Sequence, residues 1–156
     1  MTNEQSMVRE FHLATGLPTN GPLGIVSLNM RRTLINEEAR EAGDELNHLI
    51  WRTQTSLAPL AKELADLLYV TYGTAVSLGI DLEPVFAAVH RSNMSKLGPD
   101  GRPVRRDDGK ILKGPFYHPP DVAGVLALQR GKDGAVDQSE ATLRGSECAS
   151  TSQRTA

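Results

Sequence analysis

Two acidic stretches decide how this sequence folds: residues 35–46, INEEAREAGDEL, and residues 62–73, KELADLLYVTYG. The first places five acids in twelve positions, and the second places two acids in a run that is otherwise mostly apolar. Acids on a surface helix usually have Lys or Arg partners one turn away. The sequence therefore raises the question of which groups compensate the negative charges of these carboxylates.

Apolar residues recur at helical spacing on both sides of the first acidic stretch. Residues 4–15 are predicted to form a helix that Gly16 closes. Ser27 is predicted to cap a second, long helix that carries the first acidic stretch and runs to about Trp51.

The second acidic stretch lies in a third predicted helix, which Ser56 caps and Gly79 follows. Its apolar residues nearly circle the axis, so we expect a central, buried helix. Asp81 is predicted to cap a fourth helix that Gly98 ends, and the segment VRRDDGKIL, residues 104–112, is predicted to form a small hairpin. A short last helix is expected from Asp121.

These elements predict an all-α fold: an antiparallel bundle of about four helices with a small hairpin-containing loop. The domain is expected to span residues 4–128, because a chain of 156 residues has room for one domain with a real core. The tail, residues 129–156, is rich in Ser, Thr, Gly and charge and is predicted to be disordered.

Composition excludes several classes of protein. The formal net charge of -2 and the pI near 6.1 do not indicate binding to a nucleic-acid polymer or to an acidic membrane. One cysteine allows no internal disulfide, and no stretch approaches 18 consecutive apolar residues. We therefore expect a soluble, cytoplasmic protein.

The acids fall into two pairs at helical spacing. Glu38 and Glu41 border the apolar stripe of the second helix, and Glu63 and Asp66 lie on the third helix, with Glu63 close to its apolar face. Burying like charges costs several kcal/mol unless something compensates them, and Mg²⁺ takes carboxylate oxygens as ligands. Two such pairs on facing helices predict a four-carboxylate metal site.

The nearest cations are not expected to compensate these acids. Lys62 adjoins Glu63 in sequence and Arg40 adjoins Glu41, and neighbouring residues on a helix point in different directions. A solvated acidic face remains the simplest alternative to a metal site.

Other catalytic sites are weaker interpretations. Glu45 and His48 form the Glu-x-x-His half-motif of di-iron bundles, which need that motif on two helices. No Gly-x-x-x-x-Gly-Lys-Ser/Thr loop occurs, which excludes a P-loop nucleotide site. No Ser-His-Asp arrangement is evident, so activated water is a better nucleophile than a side chain.

The pattern Glu37-Glu38-x-x-Glu41, 21 residues and then Glu63-x-x-Asp66 resembles the signature of the MazG-like, all-α nucleoside triphosphate pyrophosphatases. The segments FHLATGLP, residues 11–18, and HRSNMSKLGPDGRPVRRDDGKILKGPFYHPPDV, residues 90–122, look like its phosphoribosyl-ATP pyrophosphohydrolase-like branch, which includes dUTPase-like members.

The resemblance implies roles for particular residues. It makes Glu38, Glu41, Glu63 and Asp66 the Mg²⁺ ligands, with Mn²⁺ as a substitute. It makes Glu37 and Glu38 the catalytic acids, Glu37 completing the site through a further metal or by activating water. Substrate binding would fall to Asn93 and Lys96, with loop contacts to phosphate from Arg106 and Lys110, and also from Arg105 and Lys113. The residues that could stack on or bond to a base are Phe11, His12, Trp51, Tyr69 and Tyr72, although each is more often a packing residue.

The function that the resemblance implies is Mg²⁺-dependent hydrolysis of a nucleoside triphosphate to monophosphate and pyrophosphate. The favoured substrate is dUTP or another dNTP, in cleansing of the nucleotide pool. The alternatives are phosphoribosyl-ATP hydrolysis in histidine synthesis and a catalytically silent helical interaction module. The resemblance also implies a homo-oligomer, either a dimer or a dimer of dimers.

Overall fold

The structure is a computed structural model that describes residues 1–130. Four helices cover most of this range: α1 (Asn3–Thr15), α2 (Ile25–Ile50), α3 (Ala58–Leu78) and α4 (Leu82–Met94). A fifth helix, α5, begins at residue 122 and continues to residue 130, where the description ends. The described residues contain no strand, so the predicted all-α class is confirmed.

The chain divides into two compact units, Met1–Glu83 and the residues from Pro84 onward. In the first unit, α1 and α2 both pack against α3. The ring of Phe11 meets that of Tyr69, and Gln5 Nε2 donates to the carbonyl oxygen of Ile80, so α1 runs antiparallel to α3.

The helix ends follow the glycines more closely than they follow the predicted caps. Gly16 and Gly79 close α1 and α3 in the left-handed conformation, at φ 70° and 69°, where a residue without Cβ is strain-free. The expected cap at Ser27 is wrong, because α2 already begins at Ile25, after Gly24. At the start of α3 the N-cap is Leu57, and Ser56 Oγ accepts from the backbone N–H of Ala58 instead.

The second unit contains the hairpin-like loop. The backbone N–H of Arg106 donates to the carbonyl of Lys110, and Gly109 turns the chain at φ 84°. Only isolated bridges form within the described residues, one of them between Leu97 and Pro103. That pairing draws the chain out of helical geometry, so α4 ends at Met94 rather than at Gly98.

The end of the described chain bears on the predicted tail. Asp121 Oδ1 accepts from the backbone N–H of Gly124 and so caps α5, as expected. Residues 129 and 130 belong to α5, and the rest of the predicted tail lies outside the described residues. The proposed domain of residues 4–128 stays a prediction. None of the helices in residues 1–130 has the length and apolarity that a membrane span requires.

The third helix is less buried in one chain than its composition predicts. Its buried residues are Gly73, Ala75, Val76 and Ser77, all near its C-terminal end. Towards the other end, Leu64 and Leu68 remain 46% and 58% exposed, because α1 and α2 cover only part of the helix surface. The expected central position of this helix is therefore confirmed, since α1 and α2 both pack against it, but its expected burial is wrong for the single chain.

Candidate metal centre

Three of the acids meet where α2 faces α3. Glu38, Glu41 and Glu63 each offer a carboxylate oxygen, and these three oxygens lie within 4.8 Å of one another. Farther along the same two helices, Gly73 of α3 lies against Arg31 of α2. Because residue numbers fall on α2 as they rise on α3, the helices are antiparallel, and this brings the two acidic stretches together.

The cluster is enclosed on the α3 side and open on the other. All three acids are half-buried, and the side chain of Glu63 is only 13% exposed. Asp66 lies one turn farther along α3, and its charge acts on Glu38, but it is outside the group of three. The structure therefore brings together three of the four predicted ligands and leaves the fourth beside them.

Lys62 and Arg40 do contact the acids, contrary to expectation. Lys62 Nζ lies 3.1 Å from Glu63 Oε1 and 2.8 Å from Asp66 Oδ2. Arg40 lies 3.2 Å from Glu41 through Nη2 and 2.8 Å from Asp44 through Nη1. Adjacent residues leave a helix in different directions, but these side chains are long enough to reach back along the surface.

Glu38 lies near the negative charges of four other acids. Burial raises the pKa of the Glu38 carboxyl, and the nearby charges of Glu41, Asp66, Glu37 and Glu63 raise it further. In the metal-free protein, loss of the proton from Glu38 is therefore less favourable than it is from an ordinary glutamate. A divalent cation bound by the cluster would remove that penalty, and oxygen-only ligands suit a hard cation such as Mg²⁺.

This shift predicts that Glu38→Gln stabilises the metal-free protein. Because the pKa of Glu38 is higher in the folded than in the unfolded state, protonation of Glu38 stabilises the folded wild type. This stabilisation is lost as the pH rises from about the ordinary value of 4.5 through the folded-state pKa. Above that window the variant should unfold with a free energy about 0.5 kcal/mol higher, the scale of one like-charge pair on a partly exposed helix. Urea unfolding in EDTA at several pH values measures the difference. A variant less stable than the wild type at pH 7 would contradict the inferred repulsion.

Glu37 and the pair of Glu45 and His48, all on α2, lie outside the group of Glu38, Glu41 and Glu63. Glu37 is exposed on α2, from where its charge still contributes to the raised pKa of Glu38. Glu45 accepts a hydrogen bond from Gln54, and His48 Nδ1 lies 3.0 Å from Thr53 Oγ1. Both members of the di-iron half-motif thus contact the α2–α3 connection, and within the described residues neither belongs to the group of Glu38, Glu41 and Glu63.

The predicted substrate-binding residues belong to the second unit. Lys96 Nζ donates to Asn93 Oδ1 over 2.7 Å, so these two side chains share a face as predicted. In the loop, Arg106 pairs with Asp108, and Lys110 is exposed. These contacts all lie within the second unit.

Aromatic side chains border a groove between α1 and α3. The groove has a volume of about 410 Å³, and among the residues that line it are Met7, Leu68, Tyr69 and Tyr72. Phe11 meets Tyr69 edge to face, with ring centroids 6.0 Å apart. By contrast, Trp51, which we expected to pack, is 76% exposed.

Sequence reasoning missed one contact in this unit. His12 and Arg31 are both buried and both lie against Gly73. Helical periodicity counts a histidine or an arginine as polar and places it outside, so no pattern singled out Arg31. A glycine inside a helix is the one signal that marks such a close approach.

The first unit is all-α and carries clustered carboxylates between two antiparallel helices, and sequence comparison identifies the family. The sequence profile of the phosphoribosyl-ATP pyrophosphohydrolases matches residues 8–93, which include every acid of the site. The chain belongs to this family, within the MazG-like, all-α superfamily, and it is a nucleotide pyrophosphohydrolase.

Solved structures with a similar chain fold are also found. A crystal structure of a proposed NTP pyrophosphohydrolase from Exiguobacterium sp. 255-15 is similar, with 23% sequence identity and a TM-score of 0.44. The match covers 87% of this chain and 98% of that one. No curated protein matches the chain.

Proposed function

We propose that this protein hydrolyses a nucleoside triphosphate to the monophosphate and pyrophosphate with Mg²⁺ as cofactor. The observation that carries the proposal is the group of carboxylate oxygens from Glu38, Glu41 and Glu63, within 4.8 Å of one another, in a chain of the pyrophosphohydrolase family. Members of this family generally use a divalent metal. Mn²⁺ prefers the same oxygen ligands and is expected to substitute.

The acids are proposed to have two different roles, metal binding and proton transfer. Glu38, Glu41, Glu63 and Asp66 would hold the metal, which when bound lowers the pKa of water and offsets phosphate charge. Glu37, exposed one residue before Glu38, would accept the proton of the attacking water. That water bonds to the α-phosphorus, the bond from phosphorus to the bridging oxygen breaks, and pyrophosphate leaves.

Asn93, Lys96, Arg106 and Lys110 are the residues proposed to bind the substrate. Asn93 and Lys96 already share a hydrogen bond, which directs the Lys96 ammonium and the Asn93 amide to one place. An ammonium stabilises phosphate oxygens as a point charge, and an amide can bond a sugar hydroxyl. Arg106 and Lys110 would add phosphate contacts from the loop, Arg106 after leaving Asp108.

The preferred substrate is proposed to be dUTP or another dNTP, which gives the enzyme a role in cleansing the cytoplasmic nucleotide pool. The aromatic groove between α1 and α3 supports a base site, since Tyr69 and Tyr72 follow Asp66 by one and two turns on the same helix. A groove of this kind suits a flat base but does not choose among bases.

Phosphoribosyl-ATP is the second candidate substrate, and the match to the family named for it favours it directly. Both candidates release pyrophosphate in the same way, so the metal site does not separate them. A silent interaction module is disfavoured because Glu37, Glu38, Glu41, Glu63 and Asp66 are all present.

A homo-oligomer, either a dimer or a dimer of dimers, is part of the proposal. Leu64 and Leu68 on α3 and Phe11 on α1 are each about half exposed, although they lie on the helices that form the centre of the first unit. A second copy of the chain would cover such a surface. Light scattering of the purified protein measures the mass directly.

The experiment that tests the proposal is pyrophosphate release from a substrate panel. The panel contains dUTP, dCTP, dATP, dGTP, dTTP, the four ribonucleotides and phosphoribosyl-ATP, each with Mg²⁺, with Mn²⁺ and with EDTA. We expect metal-dependent release from dUTP or another dNTP and none in EDTA. Release from phosphoribosyl-ATP alone would establish the second candidate, and silence from a folded protein that binds Mg²⁺ would overturn the proposal.

A further inference from the structure

A buried polar contact joins α1, α2 and α3 at a distance from the acids. Arg31 of α2 is only 8% exposed, and its Nη2 lies 3.4 Å from Nε2 of the buried His12 on α1. Gly73 of α3 completes the contact. Among residues 1–130, no carboxylate lies within ion-pair distance of this guanidinium, and burial lowers the pKa of Arg31.

The hydrogen bonds of His12 define its orientation. Its Nδ1 lies 2.9 Å from the carbonyl oxygen of Pro18, which can only accept, so Nδ1 must carry the proton. Nε2 is then the acceptor, and Arg31 Nη2 donates to it. The imidazole therefore ties the Arg31 side chain to the turn that follows α1.

Gly73 permits this arrangement because it has no side chain. A Cβ at this position would lie 3.0 Å from Arg31 Nη1 and 3.2 Å from His12 Nε2. Both distances are shorter than ordinary van der Waals contact, and both neighbours are buried and hydrogen-bonded. An alanine here would therefore make the guanidinium or the imidazole give way slightly, or would move α2 slightly relative to α3.

The contact between Arg31 and Gly73 joins the two helices that carry the clustered acids. Arg31 precedes Glu38 by seven residues on α2, and Gly73 follows Asp66 by seven residues on α3. Seven residues are two helical turns, or about 10 Å, on each helix. A shift of α2 along α3 at the Arg31–Gly73 contact would therefore displace Glu38 and Glu41 relative to Glu63 by the same amount.

Among the described residues, Arg31 is the largest side chain that is buried on α2 or α3. Apart from Arg31, the buried residues of α2 and α3 are Ala42, Gly73, Ala75, Val76 and Ser77. Small side chains interlock weakly, so they define the axial position of a helix less well than one size-matched polar contact does.

We propose that Gly73, Arg31 and His12 are positioning residues, which set the register of α2 on α3 and thereby the spacing of the metal-binding carboxylates. The proposal rests on the proposed metal function, and it assigns to these residues an effect on metal affinity rather than contact with the substrate. Supporting residues of metal sites commonly change metal affinity about 10- to 100-fold.

The test compares two identical substitutions, Gly73→Ala and Gly43→Ala. Gly43 lies inside α2, and a Cβ there would meet nothing within 4 Å. Alanine favours a helix over glycine at both positions, so both variants gain the same intrinsic propensity. We expect Gly73→Ala to bind Mn²⁺ about tenfold more weakly in an EPR titration and Gly43→Ala to match the wild type. Circular dichroism and urea unfolding verify that each protein is folded.

A second substitution tests the mechanism. Arg31→Lys keeps the positive charge but removes Nη1 and Nη2, so it removes the nearer of the two atoms that the new methyl group would strike. In the double variant with Gly73→Ala, the two effects should not add, and Mn²⁺ affinity should be no lower than in either single variant. Additive losses would overturn the proposed contact.

The outcomes separate this inference from the proposed function. A wild type that binds no Mn²⁺ would refute the metal site itself. A wild type that binds Mn²⁺, beside a folded Gly73→Ala variant of unchanged affinity, would refute the positioning role alone. If Gly73→Ala does not fold, Arg31→Lys alone decides: a tenfold loss supports the proposal, and unchanged affinity overturns it.

Discussion

Glu38→Gln should reduce pyrophosphate release about 1,000-fold or more while leaving the protein folded. A thousandfold loss corresponds to about 4 kcal/mol of transition-state stabilisation. Glutamine has the shape of glutamate but lacks the charge that a divalent cation requires, and Glu38 is central to the group formed with Glu41 and Glu63. Single-turnover release of pyrophosphate at saturating Mg²⁺ measures the loss.

Asp44→Asn is the matched control for that substitution. Asp44 is an acid on the same helix, but it is exposed, paired with Arg40 and outside the group of Glu38, Glu41 and Glu63. The control should keep at least about half of the wild-type rate, because exposed ion pairs contribute little. If Glu38→Gln keeps full activity, or if both variants lose activity equally, the assignment of Glu38 is wrong.

Glu63→Gln should weaken Mn²⁺ binding about 100-fold, the upper part of the range for changes at the shell of a metal site. Glu63 is the contribution of α3 to the carboxylate group, and its side chain is the most buried of the ion-paired acids. Without it, a cation would find charged oxygens from α2 alone within that group. An EPR titration with Mn²⁺ or calorimetry with Mg²⁺ measures the affinity.

The control for this second prediction is Glu10→Gln. Glu10 is an exposed acid of α1 that lies outside the carboxylate group of α2 and α3, so the variant removes one charge from the same unit. Its Mn²⁺ affinity should equal that of the wild type. Equal affinities for Glu63→Gln and the wild type would show that the cation binds elsewhere.

The features that the sequence predicts well are local or depend on helical spacing. Gly16 and Gly79 end their helices where expected, because a left-handed residue after a helix favours glycine whatever surrounds it. The meeting of Glu38 with Glu63 follows from the periodicity of two helices and a short connection between them. Such signals need no knowledge of tertiary packing.

The failures share a different cause. The reach of Lys62 to Asp66 depends on side-chain length, which a helical projection ignores. The exposure of Leu64 and Leu68 depends on how many helices one chain can place around α3. The burial of Arg31 depends on Gly73, which lies 42 positions later in the sequence. Local sequence patterns do not show that these two residues meet in the fold.

Lys62 holds both acids of α3 through a single ammonium group. The protein thus carries an internal counter-ion, and the pKa of Lys62 is raised by its bonds to Asp66 and Glu63. A divalent cation that bound here would take over the oxygens that Lys62 holds, so its binding would replace one positive charge by another. Ionic strength should therefore alter the rate of cation binding as well as its extent.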